Sequence, residues 1–278
     1  MLGILQKSNI LRQHNLGSAG AATVGTSVTT GGTSTAKGTP AELIASTSFD
    51  SYWVKIVASN IAASAVASDG AMDILIGAAT EDILIPDLLF GYCGMNTGTN
   101  TPFAKTWDFP LYVPAGSRIA CQAASLRTST AFYVGIILYG GNGSPPFRVG
   151  SRVTTYGMGT VPNGTAITPG VTGAEGSWTQ ITASTSESHF CLVPSFQMTN
   201  DGTTNARNYF VDIGTGSATE EEIGESFVYH SSANESLGGP LDTMPVFADI
   251  PSGTRLAMRA SNNGANDAGY DACIHAVS

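Results

Sequence analysis

Val113-Pro114-Ala115-Gly116-Ser117-Arg118-Ile119-Ala120 returns 137 residues later as Ile250-Pro251-Ser252-Gly253-Thr254-Arg255-Leu256-Ala257. Two further landmarks recur in the same order. Ala45-Ser46-Thr47-Ser48 reappears as Ala183-Ser184-Thr185-Ser186 after 138 residues, and Ala79-Thr80-Glu81 as Ala218-Thr219-Glu220 after 139. Three landmarks in one order at nearly one spacing point to a tandem duplication of one domain. Each residue can therefore be weighed against its own counterpart.

Between the landmarks the chain reads as short strands. Tyr52 to Val57, Met72 to Ile76, Ile119 to Ala123 and Phe132 to Leu138 are followed in the second copy by Phe190 to Val193, Tyr209 to Ile213, Leu256 to Ala260 and Ala272 to Val277. Such segments, bounded by Gly, Pro, Asn, Asp and Ser, predict an all-β fold. The expectation is two tandem, jelly-roll-like β-sandwiches with an extended N-terminal arm. The boundaries are residues 1–37 for the anchor and arm, 38–142 for the first sandwich, 143–172 for a Gly/Pro-rich linker and 173–278 for the second sandwich. Residues 17–38 and 157–176, rich in Gly and Thr, read as extended leads lying on a surface. A fragment beginning near Gly173 is expected to fold alone.

In each Pro-x-Gly element, Pro114 or Pro251 suits the second position of a turn and Gly116 or Gly253 the fourth. The following Arg118 and Arg255 are expected to pair with Glu81 and Glu220, pinning two strands through a guanidinium–carboxylate fork.

Composition excludes several classes of function. Charged residues are 12 % of the chain and the net charge is −9. Twelve scattered Lys and Arg cannot track a phosphate backbone, so no nucleic-acid partner is expected. The longest apolar run, Ala131 to Tyr139, is strand length, so no membrane partner is expected either. The N-terminus lacks the charged start and continuous apolar core of a secretory signal, which predicts synthesis in a cytoplasm without classical export.

Chemistry-bearing residues are poorly matched between the copies. Cys121 aligns with Met258, Cys191 with Trp53 and Cys273 with Ile136, which makes them buried free thiols filling core space. Cys93 falls near His230. His14, His189 and His275 also lack histidine counterparts; His189 aligns with Ser51 and His275 with Leu138. No nucleophile elbow or zinc-binding helix is present, and Gly214-Thr215-Gly216 reads as a turn rather than a dinucleotide loop. The Asn-rich loops at 200–205 and 262–267 lack the spacing of a calcium loop. Asp82, Asp87, Glu221 and Glu222 read as solubilising turn residues rather than a glycosidase pair. No catalytic residue, cofactor or metal is expected.

Taken together, Gly38-Thr39-Pro40-Ala41-Glu42-Leu43-Ile44, Ile76-Gly77-Ala78-Ala79 and Ile213-Gly214-Thr215-Gly216, with the Pro-x-Gly-Ser/Thr-Arg elements, give a pattern that resembles minor structural proteins of tailed bacteriophages. The resemblance covers residues 22 to 278. It implies a non-enzymatic virion component, such as a capsid decoration, collar or neck, or fibre element. Its implied partners are copies of itself, as a trimer or ring, and other virion proteins: major capsid, portal, neck or tail. An alternative is binding of a host surface glycan, with Tyr52, Trp53, Trp107, Tyr133 or Trp178 as stacking platforms. A polysaccharide-degrading tail enzyme is a third reading. Residues 1 to 21 have no counterpart, and their apolar Leu2, Ile4, Leu5, Ile10 and Leu11 are expected to anchor the chain on a neighbour.

Overall fold

The computed structural model describes residues 12–16, 25–59, 69–77, 81–91, 104–141, 144–171, 173–198, 207–216, 219–224, 227–232, 236–237, 241–264 and 270–278. Among them there is no helix. The first half contributes β1 (Arg12–Leu16), β2 (Thr26–Thr29), β3 (Ala41–Ile44), β4 (Ser51–Ser59), β5 (Gly70–Gly77), β6 (Glu81–Leu89), β7 (Ala104–Phe109), β8 (Ile119–Ser125) and β9 (Ala131–Gly140). The second contributes β10 (Val153–Tyr156), β11 (Thr165–Ile167), β12 (Thr179–Thr182), β13 (His189–Met198), β14 (Arg207–Thr215) and β15 (Glu221–Glu222). It continues with β16 (Phe227–Ser232), β17 (Ser236–Leu237), β18 (Leu241–Thr243), β19 (Val246–Ile250), β20 (Leu256–Asn262) and β21 (Tyr270–Val277).

Each half is a sandwich of two sheets. In the first, β1 and β2 lie along β9 as two pieces of one broken strand, giving the order β1/β2-β9-β4-β7 opposite β3-β8-β5-β6. In the second, β10 and β11 lie along β21 in the same way, giving β10/β11-β21-β13-β19 opposite β12-β20-β14-β16. This is the strand order of a jelly roll, met twice. Even the bulge between Glu42 and Ile44 recurs between Gln180 and Thr182. Among the named strands every pairing is antiparallel but one. That exception crosses between the halves, where β18 adds itself in parallel to the free edge of β7.

The shared scheme corrects several boundaries. Residues 143–172 are not a plain linker, because they carry β10 and β11, and residues 1–37 carry the matching β1 and β2. Of these, β2, β10 and β11 are three or four residues long and each carries Thr, so their composition reads as connecting chain. The leads are not simply extended either. The N–H groups of Gly31 and Gly38 both donate to the Ala123 carbonyl, at 3.1 and 2.9 Å, and those of Gly170 and Gly176 both donate to that of Ala260, at 2.9 and 2.8 Å. Each lead is thus a loop closed on one acceptor of the neighbouring strand.

The cores follow from side-chain alternation. In β9 alternate residues are buried, and Phe132, Val134, Ile136 and Leu138 fill the first sandwich. In β21, by contrast, every residue is buried. Tyr270, Ala272, Ile274 and Ala276 enter the core of the second sandwich. Asp271, Cys273, His275 and Val277 point the other way, onto the first sandwich. On β13, Gln197, Ser195, Val193 and Cys191 stand opposite them and face the same side. Strands β13 and β21 are therefore covered on both sides, and Cys191, Val193 and Val277 belong to the core cluster of the first half.

Candidate functional site: the clamps and the seam

The three recurring landmarks meet in space. Ser117 N–H points to Pro114 O at 3.4 Å and Thr254 N–H to Pro251 O at 3.3 Å. Gly116 and Gly253 sit at the third turn position with φ of 81° and 87°. Proline is therefore the first residue of the turn and glycine the third, one place earlier than the sequence reading put them, since only that place requires a positive φ. Thr47 locks the first turn: its hydroxyl donates to Pro114 O (2.7 Å) and accepts from Ser117 N–H (3.0 Å). Thr185 does the same with Pro251 O (2.9 Å) and Thr254 N–H (3.1 Å).

The arginine that follows each turn completes the clamp. Arg118 forms an ion pair with Glu81, and its Nε donates to Glu42 Oε2 at 2.8 Å. Arg255 forms an ion pair with Glu220, while its Nε donates to Gln180 Oε1 (3.1 Å) and a terminal nitrogen to Gly216 O (3.2 Å). The arginine carries one positive charge across three strands. These groups hold the end of each sandwich shut.

A second polar ensemble lies between the sandwiches. Ser195 Oγ accepts from Leu89 N–H (2.8 Å) and donates to Leu89 O (3.2 Å). Gln197 accepts from Gly70 N–H (2.9 Å) and donates to Pro162 O (2.7 Å). The buried Lys105 ammonium donates to Phe196 O at 2.6 Å. Each bond joins a side chain in one half to backbone in the other or in the connecting segment, so the seam is specified by geometry as well as by burial.

Titration in this seam is set by desolvation. Asp69 is pushed up to about 6 by burial and then by the charge of Asp271, with Lys105 opposing. Burial likewise raises Asp271, against hydrogen bonds from Gln197 and the Gly164 backbone. His275 is driven down to about 3 by burial. The Thr155 hydroxyl donates to Pro86 O (2.7 Å), so His275 Nδ1–H donates to Thr155 Oγ1 (2.9 Å) and Nε2 faces the Cys273 thiol at 3.4 Å. The pair resembles a thiol–imidazole couple. Burial raises the thiol and lowers the imidazole, so both stay neutral and the sulfur is no nucleophile.

The remaining sequence candidates are dispersed. Cys121, Cys191 and Cys273 are buried free thiols, and Cys93 lies outside the described residues. Leu2, Ile4, Leu5, Ile10 and Leu11 also lie outside them. His189 is buried, which lowers it, and its Nε2 meets Tyr156 Oη at 3.0 Å. Asp87 shares Lys37 with Asp73, at 2.5 Å each. Glu222 approaches Arg259 at 3.7 Å, and among the described residues no group of His, Cys, Asp and Glu is placed to hold a metal.

Of the five aromatic platforms, Trp107 is core, and Trp178 lies beneath Arg259 at 4.5 Å from the ring centre. Trp53 contacts Phe147 and Phe247, and its indole N–H donates to Asp108 at 2.6 Å. Tyr52 stacks on Tyr112 at 5.9 Å, and this pair reaches solvent through the exposed Tyr112. The aligned partners also shift. Cys273 occupies the place of Gly135 and His275 that of Ile137, one residue from the sequence alignment. Both therefore sit on the outward face of β21, and so does Cys191 on β13, at the position of Trp53.

The motifs and spacings of the sequence do not reveal the seam. Its signal was the polar series Ser195, Gln197, Asp271 and His275, alternating with apolar residues in strands that otherwise look like core.

No protein-family model and no curated protein matches the chain. Among solved structures, PNGF-II aligns at TM-score 0.40 and 7 % identity over 99 % of this chain and 67 % of its own. The chain thus spans about two thirds of that protein. The tandem CBM22-1–CBM22-2 domain of Paenibacillus barcinonensis Xyn10C aligns at 0.26 and 13 % identity over 96 % of this chain and 91 % of its own. The infectious bursal disease virus VP2 subviral particle aligns at 0.24 and 9 % over 96 % and 71 %. Overlaps this loose carry no argument about function.

Proposed function

We propose that this protein is a non-enzymatic structural component of a tailed-phage virion, a rigid two-sandwich block that works through contacts with copies of itself and with other virion proteins. One observation carries the reading: strands β13 and β21 are buried on both faces, so two jelly rolls are welded into one body instead of being strung on a linker. A block of fixed shape is what a shell, collar or fibre requires. A surface with few charges can be buried repeatedly without stranding ions, whose desolvation is costly. The jelly roll itself is used in viral capsids and in lectins, so the fold is compatible with both main readings without choosing between them.

The test is to label the chain at Ser278 and image purified particles. Regular labelling of head, neck or tail supports the reading. Particles without label, or a purified chain that hydrolyses host polysaccharide, would overturn it. The Tyr52–Tyr112 stack favours glycan binding as the second reading. Retention on a host-glycan surface that Tyr112→Ala abolishes would bring that reading forward.

A further inference from the structure

We propose that Lys37 becomes joined to Asp73 by a side-chain amide bond, formed with loss of water and with Asp87 as the acid–base group. Met72 and Ile74 fill the first core, so Asp73 between them points to the other face of β5, where the first lead brings Lys37. Lys37 Nζ lies 2.5 Å from Asp73 Oδ1 and 2.5 Å from Asp87 Oδ1. A bulge aims the two carboxylates at one nitrogen. Between the pairs Met72–Leu88 and Ile74–Ile85, two residues of β6, Pro86 and Asp87, stand against Asp73 alone. Asp87 there adopts φ of 55°, a conformation uncommon for a residue with a side chain. It turns the Asp87 N–H onto Asp73 Oδ1 at 2.9 Å while the carboxylate meets Lys37. Gln122 Nε2 donates to the other oxygen, Asp73 Oδ2, at 2.9 Å. The Asp73 side chain is 1 % exposed, so the carboxyl group offered to the amine is held out of water.

An amine, a carboxyl carbon, an acid–base group and hydrogen-bond donors are thus assembled for acyl transfer. Asp87 takes a proton from the Lys37 ammonium, the freed lone pair of Nζ attacks Asp73 Cγ, and negative charge gathers on Oδ2, where the Gln122 N–H meets it. Asp87 passes that proton to Oδ1 and then carries a second one from the nitrogen to the same oxygen. The Cγ–Oδ1 bond breaks and Oδ1 leaves as water. An ammonium and a carboxylate become an amide and water, Asp87 returns to its starting state, and no oxidant or cofactor is consumed. Fixed contact supplies the advantage, since well-oriented groups react as though present at about 10⁵–10⁸ M. The second sandwich shows what the place does without an amine. Strand pairing and the closing glycines make Asp212 the equivalent of Asp73, Arg259 that of Gln122 and Glu175 that of Lys37. Arg259 pairs there with Asp212 at 3.0 Å and approaches Glu175 at 3.6 Å. Its guanidinium keeps its proton and is no nucleophile. The first sandwich carries the cation on the lead instead, as an amine.

This inference goes beyond the virion reading and does not depend on it. The test uses the full chain. Its intact mass is expected to fall short of the sequence mass by one water, about 18 Da. Trypsin is expected to leave residues 13–55 attached to residues 56–105 through Lys37 and Asp73, with no cut after Lys37. Lys37→Arg, which keeps an ion pair as Arg259 does, and Asp87→Asn, which keeps the shape and loses the base, should both show full sequence mass with the circular dichroism spectrum of the wild type. A wild-type chain of full sequence mass would mean that the three residues form an ion pair only, and would overturn the proposal. So would a water lost equally by Lys37→Arg, a branched peptide joined through a residue other than Asp73, or an amide that forms undiminished in Asp87→Asn.

Discussion

Replacing Thr185 by valine keeps its shape and removes one hydroxyl from the second clamp. Thr185 is 2 % exposed, so no water replaces the lost group easily. Two bonds disappear, the donation to Pro251 O and the acceptance from Thr254 N–H. Their costs differ. Pro251 O keeps the Thr254 hydroxyl at 2.7 Å, whereas Thr254 N–H retains only the stretched turn contact at 3.3 Å. One satisfied acceptor and one poorly satisfied donor suggest a loss of about 1–2 kcal/mol. For a chain of this size that lowers the melting temperature by roughly 2–8 °C. Thermal denaturation followed by circular dichroism measures it, with Thr182→Val, whose hydroxyl bond lies on the exposed surface, as a control expected to shift by less than about 0.5 kcal/mol. Thr47→Val should behave like Thr185→Val, because its two bonds match within 0.2 Å. Wild-type melting of both buried variants would show that the turns need no lock.

Arg255→Ala should cost about 1–3 kcal/mol by leaving the partly buried Glu220 unpaired, read in the same melts. Asp69→Asn addresses the seam. A folded pKa of about 6 lies above the unfolded value near 4, so the native state binds the proton more tightly and stability falls as pH rises between them. Asparagine removes that slope, and denaturant titration should find the variant better placed relative to wild type at pH 7 than at pH 4.5 by about 1–3 kcal/mol; an equal difference at both would refute it. The fragment 173–278 lacks β10 and β11 and uncovers one face of the β21 sheet, so calorimetry should show a broad transition in place of a cooperative one. Sharp melting of that fragment would mean that the second sandwich is self-sufficient after all.

The clamps were legible in the sequence because turn chemistry is local: proline, a glycine with positive φ, and the threonine and arginine that bind them recur as words. What the words could not convey is that they touch. The seam was illegible for a different reason. Alternation tells which residues share a face of a strand, and it is silent on what covers that face; Asp271 and His275 are roofed by the other sandwich. Alignment compounded this. The second sandwich has one residue more between β20 and β21 than the first has between β8 and β9, and a slip of one exchanges the faces of every later residue. That slip put Cys273 beside Ile136 instead of Gly135. Short threonine-rich strands such as β11 were lost because their pairing comes entirely from a partner more than a hundred residues away.

Burial of β13 and β21 on both faces has a kinetic consequence. A strand with a solvent-facing side can shed its neighbours locally, so its amides exchange hydrogen through small openings. β13 and β21 have no such side, and loosening either sandwich still leaves the other pressed against them. Their amides should therefore exchange at the rate set by unfolding of the whole molecule. Opposite them, β9 and β4 should exchange by smaller openings from their half-exposed face. β13 and β21 would be the last strands to yield when the protein is heated, and the place where a protease finds no foothold until everything else has gone.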